Sequence, residues 1–194
     1  AAAAAAAPKA ATIEYPLRVS LEELYAGTTK RMRITKKIYD PMARRQQEVK
    51  VEKEITIKPG WKDGTKITFA REGDEQPGTE PADICFTIQA KPHPRFQRDN
   101  NDLIHIVDCT LSEALCGDVE AVIETLDGRH IRVGERRVTP QTETVLPDEG
   151  MPLPKSPGQR GVLRVKYNII FPRLDSQQKQ EIAAILAQQR PRRK

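Results

Sequence analysis

Few side chains in this chain have the types and spacing that chemistry needs. His93, His105 and His130 are its only histidines, none stands in an H-x-x-x-H arrangement, and their neighbours offer no ligand set at zinc spacing. Cys85, Cys109 and Cys116 form an odd set without a C-x-x-C pair. That suits a reducing compartment better than a disulfide framework, and it reads Cys109 and Cys116 as core residues, not reactive ones. No nucleophile elbow, phosphate-binding loop or dinucleotide fingerprint occurs. The many Asp and Glu read as solvated strand faces, not as a hydrolytic carboxylate pair. No catalytic residue, metal ligand or cofactor site is therefore expected, and a carbohydrate-active enzyme on a β sandwich ranks third among the readings.

The segment Lys30-Arg-Met-Arg-Ile-Thr-Lys-Lys37 does stand out, with five cations and no acid. In a strand it places Lys30, Met32, Ile34 and Lys36 on one side and Arg31, Arg33, Thr35 and Lys37 on the other. Two readings stay open: an edge strand that uses cations to prevent aggregation, or an apolar strip flanked by cations that receives an extended peptide with hydrophobic side chains and an acidic end. Nucleic acid is the rival partner, because the net charge is +5 and the pI near 9.2. Yet five of the 32 cations, Lys9, Arg190, Arg192, Arg193 and Lys194, lie at the two ends, and the 27 that remain equal the 27 Asp and Glu. The body is neutral, and one Trp, four Tyr and four Phe are few for base stacking.

These residues must be positioned by a mostly β chain. The 194 residues suffice for one large or two ordinary domains, no apolar run approaches the roughly 18 residues of a membrane span, and the Ala1 to Ala7 start lacks the basic and Leu-rich parts of a secretory signal. From about residue 12 to 172 the pattern is period-two alternation: Val49, Val51, Ile55 and Ile57 fall on one face, and Ala82, Ile84, Phe86 and Ile88 alternate with Asp83, Cys85, Thr87 and Gln89. Asp63-Gly64 and Asp127-Gly128 predict two-residue hairpin turns. Ser20-Leu-Glu-Glu23 and Thr110-Leu-Ser-Glu113 both predict a short helix opened by a capping box, and each is followed by a glycine, Gly27 or Gly117, seven residues after the cap.

The later blocks repeat as well: Glu72-Gly73, a strand to Ile88 and Pro94-Arg95-Phe96 are echoed by Glu149-Gly150, a strand to Tyr167 and Pro172-Arg173-Leu174. Two tandem β domains follow, joined through Pro92 to Asp102. The expected division is a low-complexity tail over 1–11, a first domain over 12–95, a second over 96–172, and a helix with a basic tail over 173–194. In that helix, Asp175 to Gln189, the residues Ile182, Ile185 and Leu186 make a narrow apolar stripe. A lone helix of about 15 residues is marginal in water, so the stripe packs either on its own domain or on a second copy.

Six ordered blocks carry a family resemblance: Pro16 to Gly27, Ile57 to Ile67, His93 to Arg98, Asn101 to Leu103, Leu111 to Gly117 and Gly150 to Pro152. From about Ile13 to Gln189 the chain resembles the C-terminal substrate-binding region of the J-domain co-chaperones, the DnaJ or forty-kilodalton heat-shock proteins. Without repeated C-x-x-C-x-G-x-G it is similar to the zinc-free class B (type II) members. The J domain with its His-Pro-Asp loop and the Gly/Phe-rich linker are absent from these residues, so the chain is expected to be a fragment that does not itself stimulate ATP hydrolysis.

The resemblance implies two small β-sandwich domains and a C-terminal dimerisation helix. In the first domain it implies a shallow groove for unfolded polypeptide, lined by Tyr15, Leu17, Met32, Ile34 and Phe96. Lys30 and Arg33 would sit beside it for the acidic C-terminal tail of the seventy-kilodalton chaperone, and Ile182, Ile185 and Leu186 would carry a homodimer. Met32 stands where the family commonly has an aromatic, and Thr28-Thr29 replaces part of a lysine run. The implied setting is cytoplasmic, with no membrane and no nucleic acid as partner.

Overall fold

The computed structural model describes residues 11–40, 42, 45–76 and 79–188. Its first half runs through β1 (Ile13–Val19), α1 (Leu21–Ala26), β2 (Thr28–Asp40), β3 (Arg45–Ile57), β4 (Lys66–Phe69) and β5 (Ile84–Ala90). The second half runs through β6 (Phe96–Asp99), β7 (Asp102–Thr110), α2 (Leu111–Cys116), β8 (Val119–Glu124), β9 (His130–Glu135), β10 (Glu143–Leu146) and β11 (Leu163–Ile170), and α3 (Ser176–Ala187) follows. The chain is mainly β, as the alternation predicts. Each half pairs a small sheet with a two-stranded hairpin: β1-β5-β4 with β2-β3, and β6-β7-β11-β10 with β8-β9. The inward faces meet in one continuous core that includes Leu17, Ile55, Phe86, Leu103 and Val165.

The halves repeat residue by residue. Ser20 and Thr110 both cap a short helix through a complete capping box, and Gly27 and Gly117 end those helices at φ 80° and 100°. Counting from the caps, Ile13 corresponds to Leu103 and Tyr15 to His105. Ile13 lies opposite Ile84 in the parallel pair β1·β5, and Leu103 lies opposite Leu163 in the parallel pair β7·β11. The N–H of Gly73 bonds Ala82 O at 2.7 Å, and that of Gly150 bonds Gly161 O at 2.9 Å, each two residues ahead of the matching central strand. One difference matters for the site: β6 lies on the side of β7 away from β11, whereas among the described residues no strand lies on the side of β1 away from β5.

Some expectations fail for reasons the topology makes plain. Asp63-Gly64 does form a turn, with Thr65 N–H bonded to Lys62 O, but it joins strands of different sheets and closes no hairpin. Asp127-Gly128 does turn the β8–β9 hairpin, within a loop that Thr125 and Arg129 close. In β5, Cys85 is buried along with its neighbours, because the strand is central and covered on both faces. Cys116 is exposed, contrary to a core assignment, since it ends α2 on the side that faces α3. The poly-Ala start and the Arg190 to Lys194 tail lie outside the described residues.

A polar seam joins the halves. Arg98 donates Nη1 to Trp61 O and Nη2 to Gly60 O, both at 2.8 Å, and Tyr25 Oη donates to Asp127 Oδ2 at 3.2 Å while the Arg160 guanidinium lies 5.1 Å over the Tyr25 ring. Gly60 has φ 81°, and a Cβ there would run into the Pro152 carbonyl, so the close approach requires glycine. Burial opposes ionisation of Asp127, but the Thr125 hydroxyl and the Arg129 side chain and backbone N–H donate to it and bring its carboxyl down to about 2. Because that value is depressed, the stabilisation is present above the unfolded value near 4 and is lost as pH falls towards 2. We expect Asp127→Asn to lower the melting temperature most above about pH 4, with the gap from wild type closing as pH approaches 2; calorimetry across that range checks it.

Candidate functional site

The open side of β1 is where the duplicated fold leaves a place unfilled. Ile13 N–H bonds Asp83 O at 2.8 Å, so the odd-numbered residues of β1 direct their backbone groups to β5. Glu14, Pro16 and Arg18 therefore direct theirs to the side where no strand lies. Glu14 presents both N–H and C=O there, whereas Pro16 has no N–H to present, as proline on an edge strand requires. The Arg18 carbonyl accepts Lys30 Nζ at 2.9 Å, which sets the start of β2 along this same edge. Among the described residues β1 and the β2–β3 hairpin belong to different sheets, so no ladder bridges the gap between them.

The sequence-predicted residues fall into three groups around that gap. Tyr15 and Met32 are half-buried at the core's margin, and the Tyr15 ring stacks on Phe86 with centroids 5.7 Å apart. Leu17 and Ile34 are only 1% and 3% exposed, so they form the floor beneath and offer no surface. Phe96 is elsewhere: it sits on β6 opposite His105, 4% exposed, between the rings of His93 and His105 at 5.4 and 5.2 Å. It belongs to the second sheet, because β6 pairs with β7 and reaches no strand of the first half.

The two predicted cations do not converge either. Lys30 lies on the Met32 side, with Nζ 2.8 Å from Glu23 Oε2. Arg33 projects to the opposite face, where Nη2 is 2.7 Å from Glu52 Oε1. That pairing and the Arg33 charge hold the Glu52 carboxyl below the usual range. At Glu23 burial acts upward, but the Lys30 bond, the Ser20 backbone N–H and the Lys30 charge outweigh it and leave the carboxyl lowered. Two further lysines lie on the Met32 side: Lys36, which alternation places there, and Lys53, which the sequence reading missed. Lys36 pairs with Glu75 at 3.7 Å, and Lys53, opposite Met32, pairs with Glu72 and lies 5.8 Å from the centre of the Phe69 ring. The alternation of β3 marks Lys53 as the outlier among Val49, Val51, Ile55 and Ile57, which is the signal that was there to find.

At the far end, α3 opens with the Asp175 capping box and carries no buried residue. Ile182, Ile185 and Leu186 are 37%, 60% and 52% exposed and line a cavity of about 590 Å³ with Leu111, Leu115 and Ile170. Among the described residues no group of three or more His, Cys, Asp or Glu is placed to hold a metal, and no helix is long and apolar enough to cross a membrane.

Comparison with known proteins gives one consistent result. Residues 13–172 match the family model of the DnaJ C terminal domain. The chain is 45% identical over 170 residues to DnaJ homolog subfamily B member 5 of Homo sapiens, covering 87% of this chain and 49% of that protein. It is 45% identical over 163 residues to Protein psi1 of Schizosaccharomyces pombe, covering 82% and 42%, and 40% identical over 167 residues to Protein SIS1 of Saccharomyces cerevisiae, covering 85% and 46%. The chain thus spans about half the length of the curated relatives it matches.

The different burial of the two apolar residues on β2 has a direct consequence. A carboxylate at Ile34 would sit in the core without a partner, a change that costs more than about 3 kcal/mol, whereas at Met32 it reaches water and faces Lys53. Ile34→Asp should therefore unfold the first half or lower its melting temperature by more than about 10 °C, while Met32→Asp should melt close to wild type. Thermal denaturation of both variants decides between them.

Proposed function

Since the chain belongs to the DnaJ C-terminal domain family and its class B co-chaperones, we propose that it is a non-enzymatic module holding extended, unfolded polypeptide in the gap between β1 and β2. Residues 12–95 are the accepting unit and residues 96–172 its partner unit. One observation supports this reading above the others: in the duplicated fold the second sheet has a strand beside β7, and among the described residues none fills the matching place beside β1. A client segment laid there bonds the outward backbone of Glu14 and Pro16 and sets its apolar side chains against Tyr15 and Met32. Methionine adapts its shape to different side chains, which suits a site with many clients.

The same gap accepts an acidic tail of the seventy-kilodalton chaperone. Lys30, Lys36 and Lys53 rim it, and an incoming carboxylate exchanges places with Glu23, Glu75 or Glu72. Arg33, turned to the other face and tied to Glu52, plays no direct part. Nucleic acid has less support: residues 12–189 carry as many cations as acids, and Arg31, Arg33, Lys36 and Lys53 on the hairpin each pair with a glutamate.

Homodimerisation through α3 completes the reading, because Ile182, Ile185 and Leu186 together with Leu115 and Ile170 present an apolar cavity that a second copy covers. Burying three such side chains stabilises an interface by about 1.5 to 3 kcal/mol each when complete. Two bivalent arms then hold one client at two points.

Three measurements test this. Met32→Asp, which keeps the fold, is expected to abolish protection of a denatured client against aggregation, and a variant that still protects in full would place the site elsewhere. Removal of residues 175–194 is expected to give a folded monomer by light scattering; a dimer after truncation would refute the role of α3. Lys30→Ala should weaken a peptide ending in Glu-Glu-Val-Asp several-fold, more at low salt than at high, and leave an uncharged apolar peptide nearly unaffected.

A further inference from the structure

Superposing the repeat on itself raises a question about β6. The strand lies beside β7 in the place that, beside β1, no described residue fills. Leu103 N–H bonds Val162 O at 2.9 Å, so Ile104 directs its backbone away from β11 and towards Gln97 of β6, just as Glu14 directs its own to the open side of β1. Phe96 lies opposite His105, the counterpart of Tyr15, and packs its ring there as the apolar anchor. The residue just before β6 reaches the hairpin side as well, since Arg95 donates to Glu124 at the end of β8.

We infer that β6 is a resident occupant of a second strand-accepting site, so that the chain carries two copies of one peptide site, one open and one filled in cis by Phe96-Gln97-Arg98-Asp99. The inference rests on the reading of the first half given above and names what both sites take: an extended segment with an aromatic anchor, run antiparallel to the first strand of the half. Beyond His105 the occupant leaves the edge. Pro94 turns the chain away, β7 continues from Ile106 to Thr110 without a β6 partner, and a cavity of about 340 Å³ opens over Ile104 and Ile106 beside Pro94.

The occupant is kept in place by the buried Phe96 ring, by the Arg98 bonds to Gly60 and Trp61 across the seam, and by local polar ties. His93 Nδ1 accepts the N–H groups of Phe96 at 3.0 Å and Arg95 at 3.2 Å, which leaves Nε2 to donate to Glu22 Oε1 of α1 at 3.0 Å. His105 Nδ1 donates to the Arg95 carbonyl at 2.8 Å. A tethered segment competes at an effective concentration in the millimolar range, so a free peptide does not displace β6 unless its anchoring is weakened.

The test uses a fluorescein-labelled peptide copying residues 92–99 and the full chain. Wild type is expected to bind one equivalent per chain, in the first half, and Met32→Asp none. Phe96→Ala, or Gln97→Pro, which removes the ladder N–H facing Ile104 from an exposed position, is expected to bind two equivalents, and either combined with Met32→Asp to bind one. Folded variants that still bind a single equivalent overturn the inference. So does collapse of the second half in both variants, because β6 is then inseparable from the unit and not its occupant. If wild type binds none and Phe96→Ala binds one, strand acceptance belongs to the second half alone, and it is the reading of the first half that fails.

Discussion

A parallel strand pair cannot be closed by a tight turn, so joining β1 to β5, and β7 to β11, obliges the chain to leave the sheet and return. In each half the excursion is used in the same way: a capped helix reverses the chain off the first strand, and a long hairpin then folds back over the sheet. The hairpin's apolar face closes the core against the sheet, with Ile34 and Ile55 meeting Leu17 and Phe86 in one and Val119 and Val133 meeting Leu103 and Val165 in the other. The same arrangement leaves the outer side of the first strand facing a gap. In the proposed function, the client polypeptide is what enters the gap of the first half.

An open sheet edge is a liability, and the first half manages it without closing it. Pro16 removes one outward donor, Lys30 occupies the Arg18 carbonyl, and lysine–glutamate pairs rim the opening. These features discourage two copies from pairing edge to edge, yet Glu14, Tyr15 and Met32 remain available to a segment that brings its own backbone and apolar side chains. The lysines of these pairs are half-buried, 19–24% exposed. In the proposed function each exchanges its glutamate for another carboxylate. The second half meets the same liability by filling the gap with β6.

The seam between the halves makes their separation and angle a property of the fold. Arg98, whose pKa burial lowers, spends its guanidinium on the carbonyls of Gly60, Trp61 and Asn100, and Tyr25 reaches across to Asp127. A gap held at a set distance from α3 matters if two chains are to present their gaps to one client.

By itself the sequence determined the elements and their order. Period-two alternation marked the strands, the capping boxes at Ser20 and Thr110 marked the helices, their shared spacing to Gly27 and Gly117 revealed the repeat, and the blocks from Pro16 to Pro152 revealed the family. These signals are local, and short-range sterics and hydrogen bonding generate them. Only the tertiary structure decided which strand lies beside which. Phe96 has the same apolar character wherever it sits, and it is the pairing of β6 with β7 that sends it to the second half. Likewise alternation placed Leu17 and Ile34 on the same face as Tyr15 and Met32, but the depth at which each lies depends on how the hairpin crosses the sheet. Alternation already set Lys30 and Arg33 on opposite faces of a strand, but only the fold supplied their partners, Glu23 beside Lys30 and Glu52 across from Arg33. Such contacts join residues far apart in sequence, and no local pattern encodes them.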